Sequence, residues 1–237
     1  MKKLMTLSLV LVAAAAISAA PKAKRGAQAM AGNEDGPETT GRAAKILIDQ
    51  APRLGQQNLA FAPNIGGQLQ AVFKKPRRWI VINMSYTTFG TDTSKFLDQL
   101  TFTWHVLLDS KTATENKGNK EKIAPYSYFT TTTTYFNIPA GTHAASVCLP
   151  PSYLERYGEP KAIGVEISNE NGDVLMRGTV SEVKGIPANM EFWKETKIMD
   201  AKQANGEPMI ERRQGLVDRA KTIWALVFPN DYESTIQ

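Results

Sequence analysis

"QLTFTWHVLL", Gln99 to Leu108, decides the fold. Leu100, Phe102, Trp104, Val106 and Leu108 fall on one face. Gln99, Thr101, Thr103 and His105 fall on the other. A period of two is the signature of a strand with one buried face, because successive Cβ atoms point to opposite sides of a sheet. Clean alternation of this kind belongs to antiparallel sheets rather than doubly covered parallel ones.

The same pattern recurs on either side. In "WIVINMSYTT", Trp79 to Thr88, the residues Ile80, Ile82, Met84 and Tyr86 oppose Asn83, Ser85 and Thr87. "GTDTSKFLD" between the two is turn chemistry. Downstream, "SKTATENKGNKEKIA", Ser110 to Ala124, is a charged loop. "YFTTTTTYFNIPAG", Tyr128 to Gly141, then carries five threonines, Thr130 to Thr134, between aromatic pairs. A mucin-like stalk would run longer with serine and proline. Threonine is β-branched and suits a partly buried strand. Neither face of this one is clearly apolar, so its register is weakly specified by pattern.

"THAASVCL", Thr142 to Leu149, reads as the return strand of the threonine segment. "PSYLERYG", Pro151 to Gly158, reads as one or two helical turns stopped by Gly158. "AIGVEISNENGDVLMRGTV" is a hairpin with Asn171–Gly172 at its tip. "NMEFWKETKI" reads as a further strand, "EPMIERRQGLVDRA" as a helix and "KTIWALVF" as a strand. "RAAKILIDQA", Arg42 to Ala51, reads as a short helix ended by Pro52. Short strands separated by turns predict a mainly β chain: an immunoglobulin-like two-sheet β-sandwich with one or two short accessory helices. A closed barrel is the structural alternative.

The predicted organisation has five parts. Residues 1–19 form a signal peptide, with Lys2 and Lys3 before the apolar run Leu4 to Ile17 and the cut after Ser18 or Ala19. Residues 20–41 form a disordered leader. Residues 42–67 form a helix and irregular crossover, 68–185 the sandwich, and 186–237 a C-terminal extension packing on it. The apolar run is short for a membrane span, so the processed chain has none. These features predict export, to the periplasm, the outer envelope or the medium.

The 237 residues carry a net charge of +5, which falls to about +3 without Lys2 and Lys3. Outside the cytoplasm this mild charge excludes nucleic acid and leaves protein or an anionic glycan as partner. The dense basic patch is Lys74, Lys75, Arg77 and Arg78. Its bland reading is a solvated turn that discourages aggregation. Cys148 is the only cysteine, so no intramolecular disulfide exists, and it reads as a small buried hydrophobe.

The chemistry inventory is short. The two histidines, His105 and His143, lie on separate strands with no ligand motif, so no metal or other cofactor is predicted. No G-x-S-x-G elbow and no phosphate-binding glycine loop occurs. Ser181 to Lys184 matches S-x-x-K without the companion motifs. Glu166 and Asp98 are isolated carboxylates, and Asn169, Glu170, Asn171 and Asp173 make a hairpin tip rather than a calcium loop. No catalytic residue is assigned, and the chain reads as a non-enzyme. Binding then falls to strand edges and loops. The candidate interaction surface is Tyr128, Thr130, Thr131, Thr132, Thr133, Thr134 and Tyr135. Exposed aromatics there would stack on sugars; the favoured reading places most of them in the core.

Taken in order, the signal, the polar leader, "RRWIVINMSYTTFGTDTSKFLDQLTFTWHVLLDS", the threonine strand and the "IWALVFPNDYE" tail resemble a known family. It is that of secreted immunoglobulin-like proteins of a type IV pilus-like locus in mucin-degrading verrucomicrobial gut bacteria. The resemblance implies an exported sandwich linked to pilus assembly or surface adhesion, acting through protein partners or self-association. A host-glycan (mucin) binding module or adhesin is the alternative. No prepilin signal is present, so an accessory rather than a polymerising pilin is implied. The resemblance carries over no site residue.

Overall fold

The computed structural model describes residues 45–55, 58–61, 77–90, 94–112, 123–226 and 234–235. All belong to the unit Gly41–Gln237. The predicted signal and leader, together with Lys74 and Lys75, lie outside the described residues.

Two sheets face each other. Sheet A contains β1 (Lys45–Gln50), β2 (Leu59–Phe61), β3 (Arg78–Phe89), β6 (Gly141–Leu149) and β10 (Val217–Asp218). Its order is β1-β3-β6-β10, with β2 also pairing β3. Sheet B contains β4 (Phe96–Asp109), β5 (Tyr126–Pro139), β7 (Glu159–Ser168), β8 (Val174–Ser181), β9 (Ile210–Arg213) and β11 (Ser234–Thr235). Its order is β11-β5-β4-β7-β8, with β9 also on β5. The predicted two-sheet β-sandwich is the fold.

The alternation in β3 and β4 builds the space between the sheets. Ile80, Ile82, Met84 and Tyr86 from β3 meet Leu100, Phe102, Trp104, Val106 and Leu108 from β4 in one buried cluster. Trp104 is fully buried at its centre. Burial of each such side chain contributes on the order of 2 kcal/mol.

Four expectations are corrected. Residues 45–50 form a strand, not a helix: Ile46 and Ile48 alternate inward, and β3 offers a free edge to pair with. The segment after the threonines is not the partner of β5. β6 crosses to sheet A and pairs β3 from Ile80↔Leu149 to Thr88↔Gly141, while β5 pairs β4. Gly141, at φ 144°, makes that crossing. "NMEFWKETKI" is no strand but a 3-10 turn, Phe192–Lys194, followed by α2 (Thr196–Met199). The tail forms β9 and β10 and then 3-10 turns at Arg219–Lys221 and Ile223–Leu226, reversing the predicted helix and strand. Gly215, at φ 126°, breaks the helical spacing, and tertiary pairing outweighs a weak local preference. The sheets therefore recruit residues on both sides of 68–185.

Two local readings hold. α1 (Pro151–Tyr157) starts with Pro at its first position and stops at Gly158, φ 81°. In the β7–β8 turn Gly172 takes φ 83°, and the Asn169 side chain accepts from the N–H groups of Asn171 and Asp173. No helix among the described residues is long and apolar enough to cross a membrane.

Candidate interaction surface

The threonine strand sits near the edge of sheet B. One edge of β5 pairs β4 along its length, from Tyr126↔Asp109 to Pro139↔Phe96. Its other edge meets parallel β9 at Tyr126–Phe129 and antiparallel β11 at Thr134–Tyr135. Thr130 to Thr133 lie between these two short strands.

Register sorts the threonines. Thr131 and Thr133 oppose Trp104 and Phe102 and so face the sandwich interior. The Thr133 hydroxyl and the Trp104 indole N–H are buried there without a hydrogen-bond partner. Thr130, Thr132 and Thr134 oppose His105, Thr103 and Thr101 on the outer face. Thr134 Oγ1 lies 3.2 Å from Thr101 Oγ1, and Thr132 Oγ1 lies 3.4 Å from Thr103 Oγ1. This cross-strand hydroxyl ladder ties β5 to β4 in a register that the apolar pattern alone left loose. Thr130 is exposed and Thr131 and Thr132 are half-buried, whereas Thr133 and Thr134 are buried.

The two tyrosines are not available to a partner. Tyr135 is buried in the central cluster, its hydroxyl donating to Asp218 Oδ2 at 3.3 Å. Tyr128 is buried on the outer face, under residues of the C-terminal extension. There Leu107, Tyr128 and Ala162 of sheet B meet Ile186, Phe192, Met199 and Ile210 in a second apolar cluster. Sequence patterning missed this because an outer-face residue is covered only by a distant piece of chain.

His105 lies at the rim of that cluster. Its ring stacks on Trp193 at 4.2 Å and 7°, and Nδ1 shares a 2.7 Å hydrogen bond with the Tyr128 hydroxyl. Burial lowers the His105 pKa to about 4; Glu166 opposes the shift and Lys194 adds to it. Burial likewise raises Tyr128. Gly164, opposite His105 on β7, lets the indole lie flat, since a Cβ would overlap the Trp193 ring. Beside it Lys194 Nζ reaches Glu166 Oε2 at 2.6 Å and Glu191 Oε2 at 2.9 Å. Arg177 Nε reaches Glu166 at 3.1 Å and Glu191 at 3.3 Å. Burial would raise the Glu166 carboxyl, but the hydrogen bonds from Lys194 and Arg177 outweigh it and hold it below the usual range. Bonds to Glu166 and Glu191 raise Lys194. Trp193, Gly164 and Lys194 are the residues that sequence reasoning passed over. The "EFW" triplet was their only signal.

The described half of the basic patch is dispersed. Arg77 pairs with Glu155 of α1, and Arg78 lies over the Phe61 ring at 5.4 Å. His143 Nε2 bonds to the Pro139 carbonyl at 2.7 Å, far along the sequence from the His105 cluster. Among the described residues no three of His, Cys, Asp and Glu gather as a metal site. In the S-x-x-K stretch Ser181 Oγ accepts from the Val183 N–H, and Glu182 pairs with Lys161. Cys148 is buried, and burial pushes its thiol up to about 12.

A protein-family model matches residues 55–234. A crystal structure of a protein from Akkermansia muciniphila is similar in fold, with a TM-score of 0.55 at 18% identity over 84% of this chain and 96% of that one. No curated protein matches.

Proposed function

This chain belongs to the family whose model spans its residues 55–234, and on that premise we propose that it is an exported, non-enzymatic interaction protein of a type IV pilus-like assembly in the cell envelope. The sequence's resemblance to secreted proteins of a type IV pilus-like locus, together with the two-sheet β-sandwich, supports an envelope setting and a structural role. The observation that carries the mode of action is the stretch Thr130 to Thr133 on β5. Among the described residues it lies between the short strands β9 and β11, on the edge of β5 away from β4, where a partner's extended segment would add hydrogen bonds. Thr130 and Thr132 point outward beside it, so side chains of the added segment meet hydroxyls rather than an aggregation-prone apolar face. Tyr128 and Tyr135 act behind this surface, fixing the strand rather than touching the partner.

Native mass spectrometry and light scattering of the exported chain, with capture of envelope proteins, test the reading. The expected outcome is self-association or a defined envelope partner. Thr130→Lys should weaken that association at least tenfold while leaving thermal stability within a few degrees, because Thr130 is exposed and a charge on an edge opposes strand addition. A strict monomer that captures no envelope protein overturns the proposal.

A further inference from the structure

The outer face of sheet A carries a cleft of about 280 Å³, with Asn83, Ser85 and Ala144 as its floor and Gln50, Arg53 and Asn58 as its wall. Its origin is local. The pairing of β1 with β3 shifts register between Ile48 and Gln50. That bulge places Gln50 opposite Ser85, on the polar face of β3, and Pro52 then turns the chain over the sheet. The Asn58 amide, itself 3% exposed, donates to the Arg53 carbonyl at 2.5 Å and holds this wall in place.

The polar groups that line the cleft form a donor-rich set. With its amide turned to satisfy both groups, Gln50 accepts from Arg53 Nε at 2.9 Å and from Nη2 at 2.6 Å. This fixes the guanidinium and leaves Nη1 for a ligand. Neither the Asn83 amide nor the Ser85 hydroxyl is tied to a protein partner among the described residues. Among the described residues no carboxylate lines the site, and the nearby Asp49 accepts a 2.7 Å bond from Thr87. Among the described residues no aromatic ring lines it either, so they offer a neutral sugar no face to stack on. A positioned guanidinium beside an amide and a hydroxyl suits an oxyanion next to ring hydroxyls.

We propose that this cleft binds one residue of an acidic saccharide, its carboxylate or sulfate on Arg53 and its hydroxyls on Asn83 and Ser85. The site is independent of the β5 edge and of the assembly role. The volume of about 280 Å³ admits a single sugar ring.

Titration of the full ¹⁵N-labelled chain tests it. Glucuronate and glucose 6-sulfate should shift the amide signals of residues 50–55 and 83–85, and glucose should not. The relative strength of the two acidic sugars tells carboxylate from sulfate recognition. Arg53→Gln should weaken binding at least tenfold, Asn83→Leu severalfold, and Arg77→Gln, on the remote basic patch, not at all. Arg53 and Asn83 are both exposed, so neither variant is expected to unfold the chain. Absence of shifts with both acidic sugars at tens of millimolar, or unchanged binding in Arg53→Gln, overturns the proposal. Acetate or sulfate binding as tightly as the sugars overturns its saccharide part.

Discussion

His105 occupies the polar phase of β4 and is nevertheless buried, stacked on Trp193 and bonded to Tyr128. Alternation assigned its face correctly, but the cover comes from residues nearly ninety positions away. Its pKa, about 4 in the fold against 6.5 when free, makes a testable statement about stability. Between these values the unfolded chain binds the extra proton, so stability is complete above pH 6.5 and falls as pH drops toward 4. The loss from this group approaches roughly 3 kcal/mol. Glu166, whose carboxyl is held low, loses its contribution only at still lower pH. Urea unfolding at pH 7, 5.5 and 4.5 should show the decline, and His105→Gln should flatten the slope between pH 6.5 and 4.5. An unchanged slope in the variant contradicts this account.

The C-terminal extension is an element whose local sequence misleads. Phe192 and Trp193 have the look of strand residues, yet they form a 3-10 turn that presses both rings onto sheet B. Contact with a flat sheet governs them, and it requires a bare backbone at Gly164 beneath the indole. Gly164→Ala should expel Trp193 and destabilise the protein by about 1–3 kcal/mol. Thermal unfolding together with the tryptophan emission maximum checks this: a lowered midpoint with red-shifted native emission is expected. A variant with native emission and midpoint would mean that the indole does not lie against the glycine. The strand at 45–50 misled in the opposite way. "KILI" carries both helical and strand patterns, and only the free edge of β3 selects between them.

At the scale of the whole molecule no intramolecular disulfide braces the fold, since Cys148 is the only cysteine. Cys148 lies on sheet A beneath the tail, with Thr222 Oγ1 4.0 Å from its sulfur. A buried thiol with a pKa near 12 is neither exposed nor ionised at neutral pH. A thiol reagent such as DTNB should leave the native chain unlabelled over hours and label it within minutes in denaturant. Rapid labelling without denaturant would show that the tail opens readily from sheet A.

Alternation along β3 and β4 by itself determined the strands, their inward faces and the β-sandwich class, because a period of two follows from backbone geometry and needs no partner. The proline and glycine stops around α1 and the β7–β8 turn were legible for the same local reason. Which sheet β6 joins was decided by tertiary structure, since crossing at Gly141 and returning at the same place look alike in sequence. The burial of Tyr128, Tyr135 and His105, the cleft beside Gln50 and the position of Thr130 to Thr133 between β9 and β11 were decided there too. Each depends on surfaces brought together from distant parts of the chain, and burial belongs to that meeting rather than to any residue taken alone.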